Sequence, residues 1–129
     1  MNGASRFKKI VKRNGEIVEF QIEKIEHAIF KAMRAIGNPN RARARELSLE
    51  VVKKLDSNQQ IDIPTVELVQ DVVEKILFEK ESFELVKAYL LYRKQRELSR
   101  NVKDLFSNIE VVDDYLEMNN WRIKESANS

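Results

Sequence analysis

The residues best suited to binding chemistry are three cations near the amino terminus. Lys12 and Arg13 lie beside an Asn-Gly pair, and Lys24 lies in the first turn of a predicted helix. Cations at a helix start are unfavourable for the helix alone, by roughly a few tenths of a kcal/mol, because they meet free N–H groups and the positive dipole end. A polyphosphate would remove that cost through charge-assisted hydrogen bonds. This pattern predicts an anion site if the turn folds over the helix start.

A second basic group lies near the end of the last predicted helix. Arg93 and Arg96 follow Tyr89 and Tyr92 at helical spacing. In an up-and-down arrangement, this helix end could reach the turn, add its arginines to the anion site and bring an aromatic ring near a nucleotide base. The alternatives stay open, since turn cations are commonly solvated surface, arginines at a helix end commonly compensate the dipole, and tyrosines at this spacing are commonly core residues.

No catalytic group stands out. Asp113 and Asp114 lack a partner base, which favours solvated charge. The chain has no cysteine, which excludes disulfides, thiolate zinc sites and cysteine nucleophiles within it. The single histidine, His27, lies next to the apolar stripe of the first helix, and we interpret it as a partly buried packing residue. One histidine cannot build a metal site alone.

Composition narrows the class of protein. The chain has 129 residues, of which 43% are hydrophobic and 34% charged, which is typical of one charge-rich helical domain. A net charge of +2 does not favour a nucleic-acid partner, because phosphate-backbone binding usually requires a large basic excess. Residues 1–6 are polar and unlike a signal peptide, and no run of about 18 apolar residues could span a membrane. We expect a cytoplasmic protein with no membrane partner.

A hairpin and four amphipathic helices must position these groups. The predicted elements are a hairpin over 7–20, helices over 22–36 and 39–55, a short strand over 61–66, and helices over 67–79 and 82–98, the last continuing toward 106. Asn14-Gly15 is the strongest hairpin signal, because both residues tolerate the positive φ of a tight turn. Pro64 fits an edge strand. The predicted fold class is mainly α (α+β), a four-helix bundle capped by a small three-stranded β-sheet that begins with the hairpin.

Four segments together resemble the ATP-cone family. They are Val-Lys-Arg-Asn-Gly at 11–15, Phe-Gln-Ile-Glu-Lys-Ile at 20–25, Thr-Val-Glu-Leu at 65–68 and Ala-Tyr-Leu-Leu-Tyr-Arg-Lys-Gln-Arg at 88–96. The resemblance implies four helices capped by a three-stranded sheet, and a domain that binds ATP or dATP as an allosteric signal. The expected organisation is a tail over 1–6, a regulatory domain over 7–97, and a linker with the start of a downstream catalytic domain over 98–129.

The resemblance also implies which residues contact the nucleotide. Lys12 and Arg13 match the cationic pair after the first strand, and Lys24 matches the lysine that starts the first helix. Thr65 matches a threonine near the base and sugar. The implied nucleotide-binding set is Val11, Lys12, Arg13, Val18, Glu19, Phe20, Gln21, Lys24, Ile25, Thr65, Arg93 and Arg96.

On the last helix, Arg96, with Arg93 as competitor, matches the basic position of the family. Three residues depart from the family pattern. Asn14 stands where the family often has Asp, which is harmless for a turn. Gln21 stands where Asp or Asn is common, so its polar contact is expected to be lengthened or lost. Pro64 precedes Thr65 and could alter the third strand.

The segment at 111–129 resembles the junction that follows the ATP-cone in anaerobic (class III, glycyl-radical) ribonucleoside-triphosphate reductases. That resemblance implies a non-catalytic, regulatory fragment of an oxidoreductase that forms homo-oligomers. Its ligand would be ATP or dATP, together with Mg²⁺, and it would hold no catalytic cofactor.

Two other functions are compatible with parts of this sequence. A nucleotide-sensing transcriptional repressor of reductase genes uses the same domain, but only about six residues precede the hairpin and no cysteine is present for the zinc ribbon of that class. The other is a helical adaptor without a ligand, for which the basic residues would be ordinary surface.

Overall fold

The computed structural model describes residues 5–106, without the side chains of Asp104 and Phe106. The elements are strands β1 (Lys9–Val11) and β2 (Ile17–Glu19) and helices α1 (Ile22–Ala35), α2 (Arg41–Asp56), α3 (Val66–Lys80) and α4 (Phe83–Phe106). A mainly helical chain with one amino-terminal hairpin is thereby confirmed. The chain divides into two compact units, Met1–Arg93 and Lys94–Ser129. Helix α4 runs through the domain boundary predicted at residue 98, and the junction predicted at 111–129 lies outside the described residues.

The hairpin forms, but its turn differs from the expected one. Its antiparallel register pairs Lys9 with Glu19, Ile10 with Val18, and Val11 with Ile17. The Gly15 N–H donates to the Lys12 carbonyl at 2.9 Å, and Gly15 has a φ of +90°. Asn14 is not left-handed, and its side chain accepts the Glu16 N–H at 3.0 Å. A single left-handed glycine is typical of a three-residue loop with a bulge, so the tight turn expected at Asn14-Gly15 is wrong.

The predicted third strand is reduced to one bridge. Within residues 5–106 the sheet has two strands, and the segment at 61–66 adds only an isolated parallel bridge between Val11 and Thr65. The Val11 N–H donates to the Pro64 carbonyl at 2.9 Å. Pro64 has no N–H to donate, and α3 begins at Val66, so the pairing cannot continue. The three-stranded sheet is therefore corrected to a hairpin with one additional bridge.

The core draws on all four helices. Its buried residues are Phe7, Ile25, Ile29, Ala32, Met33, Ala44, Leu47, Val51, Val52, Leu55, Val69, Val73, Ile76, Leu77, Leu85, Val86 and Tyr89. Helix α2 packs against both α1 and α3. No helix in the described range is long and apolar enough to cross a membrane.

Candidate functional site

The hairpin connects the starts of two helices. Strand β2 leads through two residues into α1, which begins at Ile22. At the end of β1, Val11 bridges Thr65, the residue immediately before α3. Val11 ends β1 and Glu19 ends β2, and these two residues lie two register positions apart in the hairpin. That separation is about 7 Å along the strand. One extended ligand could therefore contact both helix starts.

The start of α1 differs from the other three helix starts in its capping. Side chains of Asn40, Thr65 and Ser82 accept N–H groups in the first turns of α2, α3 and α4, at 3.0, 3.0 and 3.2 Å. Gln21, at the N-cap of α1, accepts no such bond, and its amide donates to the Glu19 carboxylate at 3.4 Å. In that turn the Lys24 N–H donates to the Gln21 carbonyl at 3.1 Å. The α1 start therefore offers N–H groups that no side chain caps, which suits an anion.

Replacing Gln21 by Asn is expected to raise the free energy of unfolding by about 0.5–1 kcal/mol, because the shorter amide can accept an N–H of the first turn. Urea denaturation measures the change. Gln21→Ala is the control, and its stability should stay within about 0.5 kcal/mol of the wild type because no cap bond is lost. A clear loss of stability in the Ala variant would show that Gln21 already caps α1.

The turn cations are accessible. Lys12 and Arg13 are exposed, and the Lys12 ammonium lies 3.7 Å from the Glu16 carboxylate. That pair is half exposed on both sides and contributes little to stability, so an anion could replace Glu16 as the partner of Lys12. Lys24 is also exposed, and its side chain has no ion-pair partner within residues 5–106. Both the turn and the α1 start therefore present ammonium groups to solvent.

The segment from Val18 to Gln21 alternates between core and solvent. Val18 and Phe20 are half-buried, with Phe20 packed against the core, whereas Glu19 is exposed. Ile25 is 7% exposed and belongs to the core, so its side chain cannot reach a charged ligand. Its backbone N–H lies four residues after the N-cap Gln21, where the first intrahelical bond of α1 is made, and the nucleotide contact expected at Ile25 stays a prediction.

Arg93 is held by two carboxylates of α3. Its guanidinium donates to Asp71 at 2.9 Å and to Glu74. Burial, the largest influence, lowers the pKa of Arg93, but the bonds to Asp71 and Glu74 together raise it above its ordinary value. Tyr89, one turn earlier, is 3% exposed, and burial raises its pKa. Tyr89 is therefore a core residue, and Arg93 ties α4 to α3 in this conformation.

The structure brings together part of the predicted set. Val11 and Thr65 are bridged, and Gln21 and Lys24 share the first turn of α1. Arg96 is exposed on the part of α4 that belongs to the unit Lys94–Ser129.

Two residues differ from what sequence reasoning gave. His27 is exposed, so its interpretation as a partly buried packing residue is wrong. Arg6 was not predicted as a functional residue, although it contacts the carbonyl of the last residue of α2 and two carbonyls between α2 and α3. No local pattern marks such long-range partners.

Comparison with known proteins points to one family. The family described as the ATP cone domain matches residues 8–98 of the chain. A vitamin B12-dependent ribonucleoside-diphosphate reductase of Thermoplasma acidophilum is 38% identical over 76% of this chain, and a ribonucleoside-diphosphate reductase subunit alpha of Treponema pallidum is 36% identical over 74%. An anaerobic ribonucleoside-triphosphate reductase of Haemophilus influenzae is 28% identical over 92%.

These matches cover 13%, 12% and 16% of the lengths of the three reductases, so the chain corresponds to a small part of each. The family match itself covers more than half of the chain, and it includes the hairpin and the starts of α1 and α3. The chain therefore belongs to the ATP cone domain family.

Proposed function

We propose that this chain binds ATP or dATP and thereby switches the activity of a ribonucleotide reductase of which it forms a regulatory part. The observation that carries the proposal is the uncapped start of α1, with Lys24 in its first turn, following a hairpin that carries Lys12 and Arg13. A helix start with N–H groups and nearby ammonium groups favours phosphate oxygens. Membership of the ATP cone family supports an adenine nucleotide as the source of those phosphates.

In this proposal the phosphates contact Lys12, Arg13 and Lys24 together with the first N–H groups of α1. The walls of the site come from the segment 18–21 and from Val11, while Thr65 lies near the sugar and base. Thr65 is exposed and its hydroxyl accepts the Leu68 N–H at 3.0 Å, which leaves the hydroxyl proton available to a ligand oxygen. Mg²⁺ would enter with the phosphates, its usual partners in nucleotide sites.

The arginines of α4 have different parts in the proposal. Arg96 is proposed as the basic contact from α4. Arg93 would have to exchange Asp71 and Glu74 for a phosphate, since both carboxylates hold it in this conformation. Such an exchange would release α4 from α3 and would connect ligand binding to a helix movement.

ATP and dATP differ by one ribose hydroxyl, so the switch must depend on contacts to the sugar. A ligand shifts an equilibrium only by its different affinities for the two states, and such coupling is typically about 1–3 kcal/mol. Thr65 caps α3, so a change at the sugar would act directly on the position of that helix. The proposed outcome is a change in association between copies of the parent protein, with ATP favouring the active state and dATP the inactive one.

We infer that the parent is an anaerobic ribonucleoside-triphosphate reductase, in which residues 7–97 regulate and residues 98–129 lead into the catalytic domain. The match to the Haemophilus influenzae reductase supports this parent, because it extends over 92% of the chain and so continues past the ATP cone. The 38% identity to the vitamin B12-dependent reductase favours that class as the alternative parent.

Calorimetric titration of the 129-residue chain with ATP and dATP tests the proposal. We expect saturable binding of both nucleotides at sub-millimolar concentration. Inorganic triphosphate is the control, and it should bind more weakly because it lacks the sugar and base. Absence of saturable ATP binding would contradict the proposed function.

A further inference from the structure

Arg6 lies three residues before β1 and reaches the connection between α2 and α3, residues 57–65, together with the last residue of α2. Its Nε donates to the Asp56 carbonyl at 3.2 Å, and one terminal nitrogen donates to the carbonyls of Asn58 at 2.6 Å and Ile61 at 3.1 Å. The guanidinium also lies 4.1 Å from the centre of the Phe7 ring. One side chain therefore organises the carboxyl end of α2 and the first half of the connection.

The same amino-terminal segment also contacts the last residue of α2 and the far end of the connection. The Ser5 hydroxyl donates to the Asp56 carboxylate at 2.7 Å and accepts the Phe7 N–H at 3.0 Å. Five residues after Arg6, the Val11 N–H donates to the Pro64 carbonyl at 2.9 Å. Residues 5–11 thus run along the connection and contact it near both ends.

Between those ends the connection makes few hydrogen bonds, and its packing support comes from Ile61, which lies against the core, and from the fully buried Pro64. Its own bonds are local, from the Ile61 N–H to the Asn58 carbonyl at 3.2 Å and from the Gln60 N–H to the Asn58 side chain at 3.0 Å. Asp62 and Ile63 are exposed, and they directly precede the buried Pro64 and the exposed Thr65. Within residues 5–106, Arg6 supplies the side-chain bonds that reach this stretch from another part of the chain.

We propose that Arg6 is a positioning residue for the nucleotide site, which it serves by holding the α2–α3 connection so that Thr65 stays beside Val11. The inference rests on the proposed function, because it needs Thr65 to contact the nucleotide. A planar guanidinium can donate to three carbonyls at once, whereas a lysine ammonium on a flexible stem cannot reproduce that fork. The carbonyls are solvent-accessible, so Arg6 should affect local order more than global folding.

The test compares Arg6→Gln and Arg6→Lys with the wild-type chain of 129 residues. Without nucleotide, Arg6→Gln should speed amide exchange of Val11 about tenfold, because its acceptor on Pro64 loses support. With nucleotide, it should raise the ATP dissociation constant about threefold to tenfold. Binding of inorganic triphosphate should not change, since triphosphate has no sugar or base to meet Thr65.

Arg6→Lys separates geometry from charge, and we expect it to behave like Arg6→Gln. The matched control is Arg34→Gln, which removes an exposed arginine at the other end of α1 and should change neither exchange nor binding. Equal losses of ATP and triphosphate affinity, or wild-type behaviour of Arg6→Lys, would show a charge effect and overturn the proposal. Unchanged Val11 exchange would overturn it as well.

The failure of this proposal is distinguishable from failure of the proposed function. If the wild-type chain binds no ATP, the proposed function is wrong and the role of Arg6 in a nucleotide site falls with it. If the wild type binds ATP and Arg6→Gln binds it equally well, only the role of Arg6 is wrong.

Discussion

Replacing Lys24 by Gln is expected to weaken ATP binding about tenfold to a hundredfold, because a hydrogen bond to a charged group contributes about 1.5–3 kcal/mol. The backbone N–H groups at the start of α1 would remain, so some phosphate binding should persist. Lys24 is exposed and makes no ion pair with any described residue, so the fold should be unaffected. The variant should therefore lose affinity without losing stability.

Two measurements check this result. Calorimetry gives the dissociation constant of ATP, and thermal denaturation gives the rise in melting temperature that ATP causes. At an ATP concentration about 100 times the wild-type dissociation constant, that rise should fall to about half or less in Lys24→Gln. Lys53→Gln is the matched control, since Lys53 is an exposed lysine in the last turn of α2. If Lys24→Gln binds ATP as the wild type does, the start of α1 is not the phosphate site.

If ATP stabilises neither the wild type nor Lys24→Gln, a helical adaptor without a ligand becomes the better account of the chain. The rise in melting temperature that ATP causes, measured for Arg96→Ala as well, decides whether α4 contributes to the same site.

The helices could be predicted from sequence because their signals are local. The helix predicted over 67–79 forms as Val66–Lys80, and the helix predicted over 22–36 forms as Ile22–Ala35. Apolar residues at three- and four-residue steps require only that one face be buried, whatever covers it. The hairpin followed equally from its Asn-Gly signal, although the turn geometry did not.

The errors concern contacts between distant parts of the chain. Residues 61–66 could form a strand only by pairing with β1, and the backbone hydrogen bond that joins them is the one from the Val11 N–H to the Pro64 carbonyl. His27 follows the helical period next to the apolar stripe, but whether it is covered depends on where α2 packs. No sequence pattern around Arg93 indicates its two carboxylate partners, because they lie 19 and 22 residues away.

The composition of the candidate site stays a prediction, and the structure adds geometry for part of it. Gln21 departs from the family pattern in sequence, and the structure adds that its side chain does not cap α1. The contact between Val11 and Thr65 needed the fold, since the 53 residues between them must return the chain to the hairpin. The proposed role of Arg6 also depends on this folding of the chain, because its partners at 56–61 lie far from it in the sequence.

Truncating Leu47 to Ala is expected to lower the free energy of unfolding by about 2–5 kcal/mol, the usual cost of deleting a fully buried leucine side chain. Leu47 is 0% exposed on α2, which packs against both α1 and α3. Because helices lie on both sides, the cavity cannot collapse easily, which favours the upper part of that range. Urea denaturation measures the loss. Leu91→Ala, at a position 62% exposed on α4, is the control and should change stability by less than about 1 kcal/mol.

Leu47→Ala and Lys24→Gln should separate folding from binding. Leu47 has no polar atoms to offer a ligand and lies in the core, so its truncation should leave the ATP dissociation constant nearly unchanged. A ligand at 100 times its dissociation constant stabilises the folded state by about 2.7 kcal/mol, whatever the stability of the free protein. ATP at that concentration should therefore stabilise Leu47→Ala as much as the wild type, and Lys24→Gln by only about 0.4–1.4 kcal/mol, as a tenfold to hundredfold loss of affinity implies. A smaller increment in Leu47→Ala would instead mean that the packing of α2 between α1 and α3 sets the geometry of their starts, so that nucleotide affinity and core stability change together.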